Sequence, residues 1–289
     1  MCEVCPGIDP VLFFLPEKPG QKMKEKELFM KLEVICEIPG QGAKTVPLLF
    51  VHGANHGAWC WKEHFLPFFR SRGFPSYALS LRGHGRSEGR ESLDSFSLDD
   101  YKDDVYRVML SLKQKPVLIG HSMGGAVVQK LLHQYPEQIE AAVLLASVPP
   151  GGMLWDFLRL LFTRTGEFRR LSLFNRGKTD VFPVDLFLSD KATEQEKKAL
   201  NRKLQPESFK ASRECLMRVV PRKTVAKVPL LIIGSDRDQM ISKKTTLSLG
   251  RFYQSEPVIF SDMGHDLMLE ADWREVAEQI LAFLNRNKE

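Results

Sequence analysis

Residues Gly120-His121-Ser122-Met123-Gly124 place a serine between two glycines, directly behind the apolar run Pro116-Val117-Leu118-Ile119. A run of this kind suits a strand covered on both faces. Residues 126–135 then continue with the apolar spacing of a helix. A serine on so sharp a strand-to-helix turn takes strained backbone angles, and side chains two residues before or after it would collide across the turn. The chemistry this arrangement offers is nucleophilic attack. A serine hydroxyl is a poor nucleophile near neutral pH, so it needs a base within hydrogen-bond reach and a carboxylate to orient that base.

Among the seven histidines, His265 stands in the most suitable place. It follows the strand-like Pro257-Val258-Ile259-Phe260 and the loop Ser261-Asp262-Met263-Gly264, and it precedes the last helix. A base belongs on such a loop at the carboxyl edge of a sheet. His133 sits inside the helix that starts at the elbow and reads as a helix-surface residue. Another apolar run, residues 228–233, ends in Gly234-Ser235-Asp236-Arg237-Asp238-Gln239-Met240-Ile241 and offers two carboxylates. Aspartate favours turns through bonds to its own backbone, so either one fits a turn as well as a site. A third run, Val46-Pro47-Leu48-Leu49-Phe50-Val51, leads into His52-Gly53-Ala54-Asn55-His56-Gly57-Ala58-Trp59-Cys60-Trp61. His52 and His56 have the spacing of metal ligands, but no Cys, Asp or Glu stands beside them. They read as loop-shaping residues, and no metal site is expected.

From about Val46 to Asn285 the chain resembles the α/β-hydrolase superfamily. The elbow carries part of the resemblance. The H-G-x-x-H-G-A-W-C-W segment is similar to that of plant methylesterases, hydroxynitrile lyases and related bacterial esterases. Leu81-Arg82-Gly83-His84-Gly85-Arg86-Ser87 resembles the R-G-x-G-x-S loop after the fourth strand of many members. The resemblance implies the chain order serine, acid, histidine, which leaves His133 and His265 and makes His265 the base. It implies Asp238 as the acid, because Met240 and Ile241 match the family's D-x-x-[VI] continuation; Asp236 is then a turn residue or a partner of Arg237. It also implies an oxyanion hole built from the backbone amides of Ala54 and Met123. Ser80 departs from the pattern, standing where many relatives carry an aspartate. Epoxide hydrolases and haloalkane dehalogenases of this fold attack with aspartate, whereas this elbow carries Ser122. Hydroxynitrile lyases rely on a lysine after the base, whereas here Asp266 follows His265.

The implied function is hydrolysis of a carboxylic ester through a Ser-His-Asp triad and an acyl-enzyme, with no metal or organic cofactor. The expected partner is a small-molecule ester with an apolar acyl or alcohol part. A lipase- or lysophospholipase-like activity on acyl lipids is one alternative. A hydrolase-fold receptor with slow or no turnover is another, which the complete triad disfavours.

These residues need elements to hold them. The implied fold is a mostly parallel sheet of about eight strands, covered by helices on both faces, with a helical cap inserted after the sixth strand. Met30, Leu32, Val34, Cys36 and Ile38 alternate with mostly polar residues as an early antiparallel strand, and Ser97-Leu98-Asp99-Asp100 opens a helix. An Asp272…Glu275 capping box begins the closing helix. Residues 28–150 and 228–289 form the expected core, residues 1–27 an extension, and residues 151–227 the cap. That cap holds 17 Lys and Arg against 9 Asp and Glu, so the chain's net charge of +5 resides there. A solvated helical surface accounts for this charge, and a basic lid also attracts anionic substrates or, weakly, a membrane surface. Nucleic acid is not an expected partner, since no aromatic-interleaved basic platform accompanies the charge. Hydrophobic residues make up 43% of the chain, and no run approaches the roughly 18 apolar residues of a membrane span. The N-terminus lacks the pattern of a secretion signal, and five scattered cysteines suit a reducing cytoplasm.

Overall fold

The structure, a computed structural model, describes residues 30–40 and 42–286. All of the expected extension, residues 1–27 with Cys2 and Cys5, lies outside the described residues. The strands are β1 (Val34–Glu37), β2 (Leu48–Val51), β3 (Ser76–Leu79), β4 (Val117–His121), β5 (Ala141–Leu145), β6 (Leu230–Ser235) and β7 (Val258–Phe260). They form one sheet in the order β1-β3-β2-β4-β5-β6-β7. Only β1, paired with β3, runs antiparallel. Among the described residues the sheet has seven strands, where about eight were expected. The count of about eight came from the resemblance, and residues 1–29 lie outside the described ones.

Successive residues of a strand point to opposite faces, and the packing follows that period. Leu48 and Phe50 pack with Trp61, Phe65 and Phe69, while Leu49 and Val51 pack with Tyr101, Val105, Val127 and Leu131 on the other side. Helices α1 (Trp59–Lys62), α2 (Phe65–Ser71), α3 (Leu98–Ser111) and α4 (Met123–Gln134) supply those partners. Ser97 caps α3 through a reciprocal box with Asp100.

Between β5 and β6 the chain leaves the sheet. Helices α5 (Leu154–Thr163), α6 (Thr165–Asn175), α7 (Glu194–Lys203) and α8 (Phe209–Cys215) follow one another with no intervening strand. This insertion therefore follows the fifth described strand, where it was expected after the sixth. It has an apolar cluster of its own, including Leu160, Phe174, Phe182, Phe187 and Leu200. Helix α9 (Lys243–Tyr253) follows β6, and α10 (Trp273–Arg286) closes the chain. At the expected Asp272 box, the Glu275 amide reaches the Asp272 backbone carbonyl at 3.0 Å, while the Asp272 carboxylate takes Lys191 Nζ at 2.6 Å.

Candidate active site

Every residue singled out for chemistry lies just past the carboxyl end of a strand, where an open parallel sheet leaves its crevice. Ser122 follows β4 with φ 52° and ψ −116°, outside the regions an L-residue prefers. Its amide donates to Leu145 O, and its carbonyl accepts from Gly125 and Val148, so both neighbouring segments hold the strained residue in place. The flanking glycines are steric requirements. A Cβ on Gly120 would lie 2.6 Å from Gly124 O, and one on Gly124 would lie 2.4 Å from Val51 O.

His265, on the loop after β7, is buried, and its Nδ1 lies 2.8 Å from Asp238 Oδ2. The other oxygen of Asp238 accepts from the amides of Met240 (2.7 Å) and Ile241 (2.9 Å), which fixes the carboxylate. Burial alone would lower the pKa of His265, but the Asp238 carboxylate outweighs it and holds the ring above its ordinary value. Asp236 is elsewhere. It is exposed and accepts from the Asp262 amide, and Arg237 pairs with Asp262 at 3.4 Å rather than with Asp236. His133 is exposed on α4 and bonds Thr224 at 3.2 Å. The His265 ring packs 4.7 Å from that of His121, the residue before Ser122, and the His265 carbonyl takes His121 Nε2 at 3.0 Å. The bases of the two functional segments are thereby joined. Ser122 and His265 do not bond each other directly, and free-enzyme geometry of this kind often tightens only around substrate.

The loop after β2 lies against the elbow, since a Cβ on Gly53 would stand 2.9 Å from Ser122 Cβ. His52 Nδ1 donates to Gly53 O at 2.8 Å, while its Nε2 accepts from the Leu81 amide at 3.0 Å. His56 contacts Ala54 O (2.8 Å) and Asp266 Oδ2 (2.9 Å). Both rings thus spend their nitrogens on shaping the loop. Asn55 takes φ 68°, a left-handed conformation that asparagine tolerates. The amide of Met123 opens a helix, where no intrahelical acceptor exists. Neither it nor the Ala54 amide donates to another described residue.

Several residues around this site escaped sequence reasoning. Ser80 occupies the corner usually filled by aspartate, and there its hydroxyl donates to Glu33 (2.7 Å) and accepts from the Ala58 amide (2.9 Å). Glu33 thus brings in from β1's approach the carboxylate that Ser80 lacks. Phe187, from the insertion, packs 5.5 Å from His265 and stacks 5.4 Å from His56. Glu270 ties the same region down, accepting from Ser189 N and Gly264 N. Glu207 is buried and meets His84 at 3.0 Å. No spacing rule links residues so distant in sequence. For Glu33, Glu207 and Glu270 the one available signal was a carboxylate in an otherwise apolar or turn-forming stretch.

With this fold and these side chains described, comparison with known proteins is direct. A model of the alpha/beta hydrolase family matches residues 48–279, and the chain belongs to that family. Over 105 residues it is 36% identical to methyl jasmonate esterase 1 of Vitis vinifera, covering 36% of this chain and 40% of that protein. It is 37% identical over 113 residues to norfluorocurarine synthase 1 of Strychnos nux-vomica, covering 38% and 41%. The matched segment is thus well under half the length of either relative. Among solved structures, a thermophilic esterase from Thermogutta terrifontis superposes with a TM-score of 0.69 at 18% identity, covering 89% of this chain and 94% of that one, a likeness of fold.

Proposed function

We propose that this protein hydrolyses a carboxylic ester through an acyl-enzyme formed on Ser122. The observation that carries the reading is His265: one ring nitrogen is fixed on Asp238, the other meets no described residue, and the ring sits beside the segment that bears Ser122. Ser122 Oγ attacks the ester carbonyl carbon while its proton passes to His265 Nε2. The amides of Ala54 and Met123 take the resulting oxyanion, each contributing about 3 kcal/mol to the transition state. Collapse breaks the bond to the alcohol oxygen, which leaves with the proton from His265. Water, deprotonated by the same nitrogen, then frees the acid and restores Ser122.

The relatives described as esterases support this substrate class. Phe187 and the cluster behind it supply an apolar wall suited to an acyl or alcohol group. The test is turnover of p-nitrophenyl esters of graded chain length: sustained multiple turnover is expected, with Ser122→Ala folded and inert. A variant that keeps the wild-type rate would rule the mechanism out, and a single stalled event would favour a receptor.

A second reading, acyl-lipid hydrolysis, draws support from α5. Trp155 and Phe162 are 81% and 77% exposed, two turns apart on one face. Arg164, Arg169 and Arg170, which follow in the chain, are exposed as well. Apolar anchors with basic neighbours suit an anionic lipid surface, and sedimentation with phosphatidylglycerol vesicles but not phosphatidylcholine vesicles tests it.

A further inference from the structure

We infer that Glu207, from the insertion, is a positioning residue for the oxyanion loop. The inference rests on the ester-hydrolase reading above, and it assigns a role to a carboxylate that touches no reacting atom.

Glu207 is 2% exposed, and four donors converge on it. Oε1 accepts from Tyr101 Oη (2.8 Å) and from the Ser208 amide (2.7 Å). Oε2 accepts from the Asn55 amide (3.3 Å) and meets His84 Nε2 (3.0 Å). The Asn55 amide is the important one, because it belongs to the peptide that joins Ala54 to Asn55. The carbonyl end of that peptide, Ala54 O, is held by His56 Nδ1. One peptide plane is therefore pinned from both ends, by His56 within the loop and by Glu207 across the fold. It is also the middle peptide of the turn closed by His56 N→Gly53 O, the unit whose orientation separates one turn type from another. Rotation of this plane changes ψ of Ala54 and φ of Asn55, and so alters the turn that carries the Ala54 amide.

Other insertion residues grip Asn55 itself. Its side-chain nitrogen donates to Asn175 Oδ1 (2.6 Å) and Gln205 O (2.9 Å), and its carbonyl accepts from the Gln205 amide (3.0 Å). Residues 175, 205 and 207 thus close around the one positive-φ residue of the loop. Seating of the insertion and alignment of the Ala54 donor become a single event.

Glu207→Gln is the sharpest test, because it keeps the shape. All four partners stand as donors, and the backbone amides of Ser208 and Asn55 cannot change role. An amide side chain keeps its oxygen on the shorter Ser208 contact and so turns its NH2 toward the Asn55 N–H. With p-nitrophenyl butyrate, kcat should fall by about 10-fold to 100-fold, somewhat less than the loss of a whole oxyanion donor. KM should stay within about twofold. Affinity for an aliphatic trifluoromethyl ketone, whose hemiketal oxygen occupies the oxyanion position, should weaken by the same factor as kcat. A folded Glu207→Gln with wild-type kcat and inhibitor affinity overturns the inference, as does a rise in KM at unchanged kcat. Glu207→Ala, where it folds, should show a loss at least as large, and wild-type kcat there also overturns it. Ser122→Ala separates the two levels. If that variant stays active, the hydrolase reading fails; if it is inert while Glu207→Gln behaves as wild type, only the positioning role fails.

Discussion

The loop at the edge of the sheet and the seam beneath the insertion each hold a buried histidine against a carboxylate. His265 meets Asp238 at 2.8 Å at the first, and His84 meets Glu207 at 3.0 Å at the second. Distance and burial scarcely differ, yet the two pairs differ in what their remaining atoms meet. His84 spends its second nitrogen on Arg82 O at 3.1 Å, and Glu207 has four donors around it. His265 Nε2 has no hydrogen-bond partner among the described residues, and Asp238 reserves one oxygen for Nδ1 while backbone amides occupy the other. A saturated pair holds structure together. A pair with one open nitrogen can act as a base.

The most forceful way to break this comparison is to disable the orienting carboxylate. Asp238→Asn presents an amide to His265 Nδ1 and favours the wrong tautomer, so kcat should fall by about 10⁴ with the fold intact. Steady-state kinetics alongside circular dichroism decide it. A loss as small as that expected for Glu207→Gln would show that the open pair and the saturated pair play equivalent parts.

The open pair was legible in the sequence, whereas the saturated one was not. Ser122, Asp238 and His265 each follow an apolar run of strand length, and strand ends are local features that composition reveals. Asp238 was separated from Asp236 only by the family's pattern of following residues, and the physical basis is now visible: the amides of Met240 and Ile241 turn back onto its carboxylate. Glu207 and Asn55 stand 152 residues apart. Their meeting depends on how the insertion folds back over the sheet, which no local periodicity encodes. The expectation of about eight strands was not local either, since it came from a pattern shared by relatives; seven stand among the described residues. Even the Ser80 corner follows the rule: the carboxylate missing at that position arrives from Glu33, 47 residues away.

Acid titration sharpens the contrast by a smaller amount. Glu207 is held below its ordinary pKa: burial raises it, but the His84 charge and the donors from Tyr101 and Ser208 outweigh that. A depressed carboxylate stabilises the fold above its unfolded pKa, and that contribution is lost as pH falls through the folded value. His265 has the opposite sign. Its raised pKa adds stability that is full below the unfolded histidine value and is lost as pH rises through the folded one. Melting temperatures of wild type and Glu207→Gln should therefore converge at acid pH and separate toward neutrality. A constant gap would mean that the Glu207 charge is not what the variant removes.

The smallest expected effect concerns Asp266, which sits between the two regions. It is fully buried, bonds His56 through Oδ2, and leaves Oδ1 with no hydrogen-bond partner, 3.8 Å from His121 Nε2. After Asp238, it is the next charge that raises the His265 pKa. The proposed mechanism requires His265 without its second proton, so kcat/KM should rise along an acid limb centred above the ordinary histidine value of 6.5. Removing the charge with Asp266→Asn should move that limb toward lower pH, by less than Asp238→Asn moves it in the residual activity. The shift should come with little change in the plateau rate, since the asparagine oxygen still accepts from His56. A limb that moves upward, or a plateau that collapses as in Asp238→Asn, would place Asp266 with the open pair rather than with the scaffold that holds it.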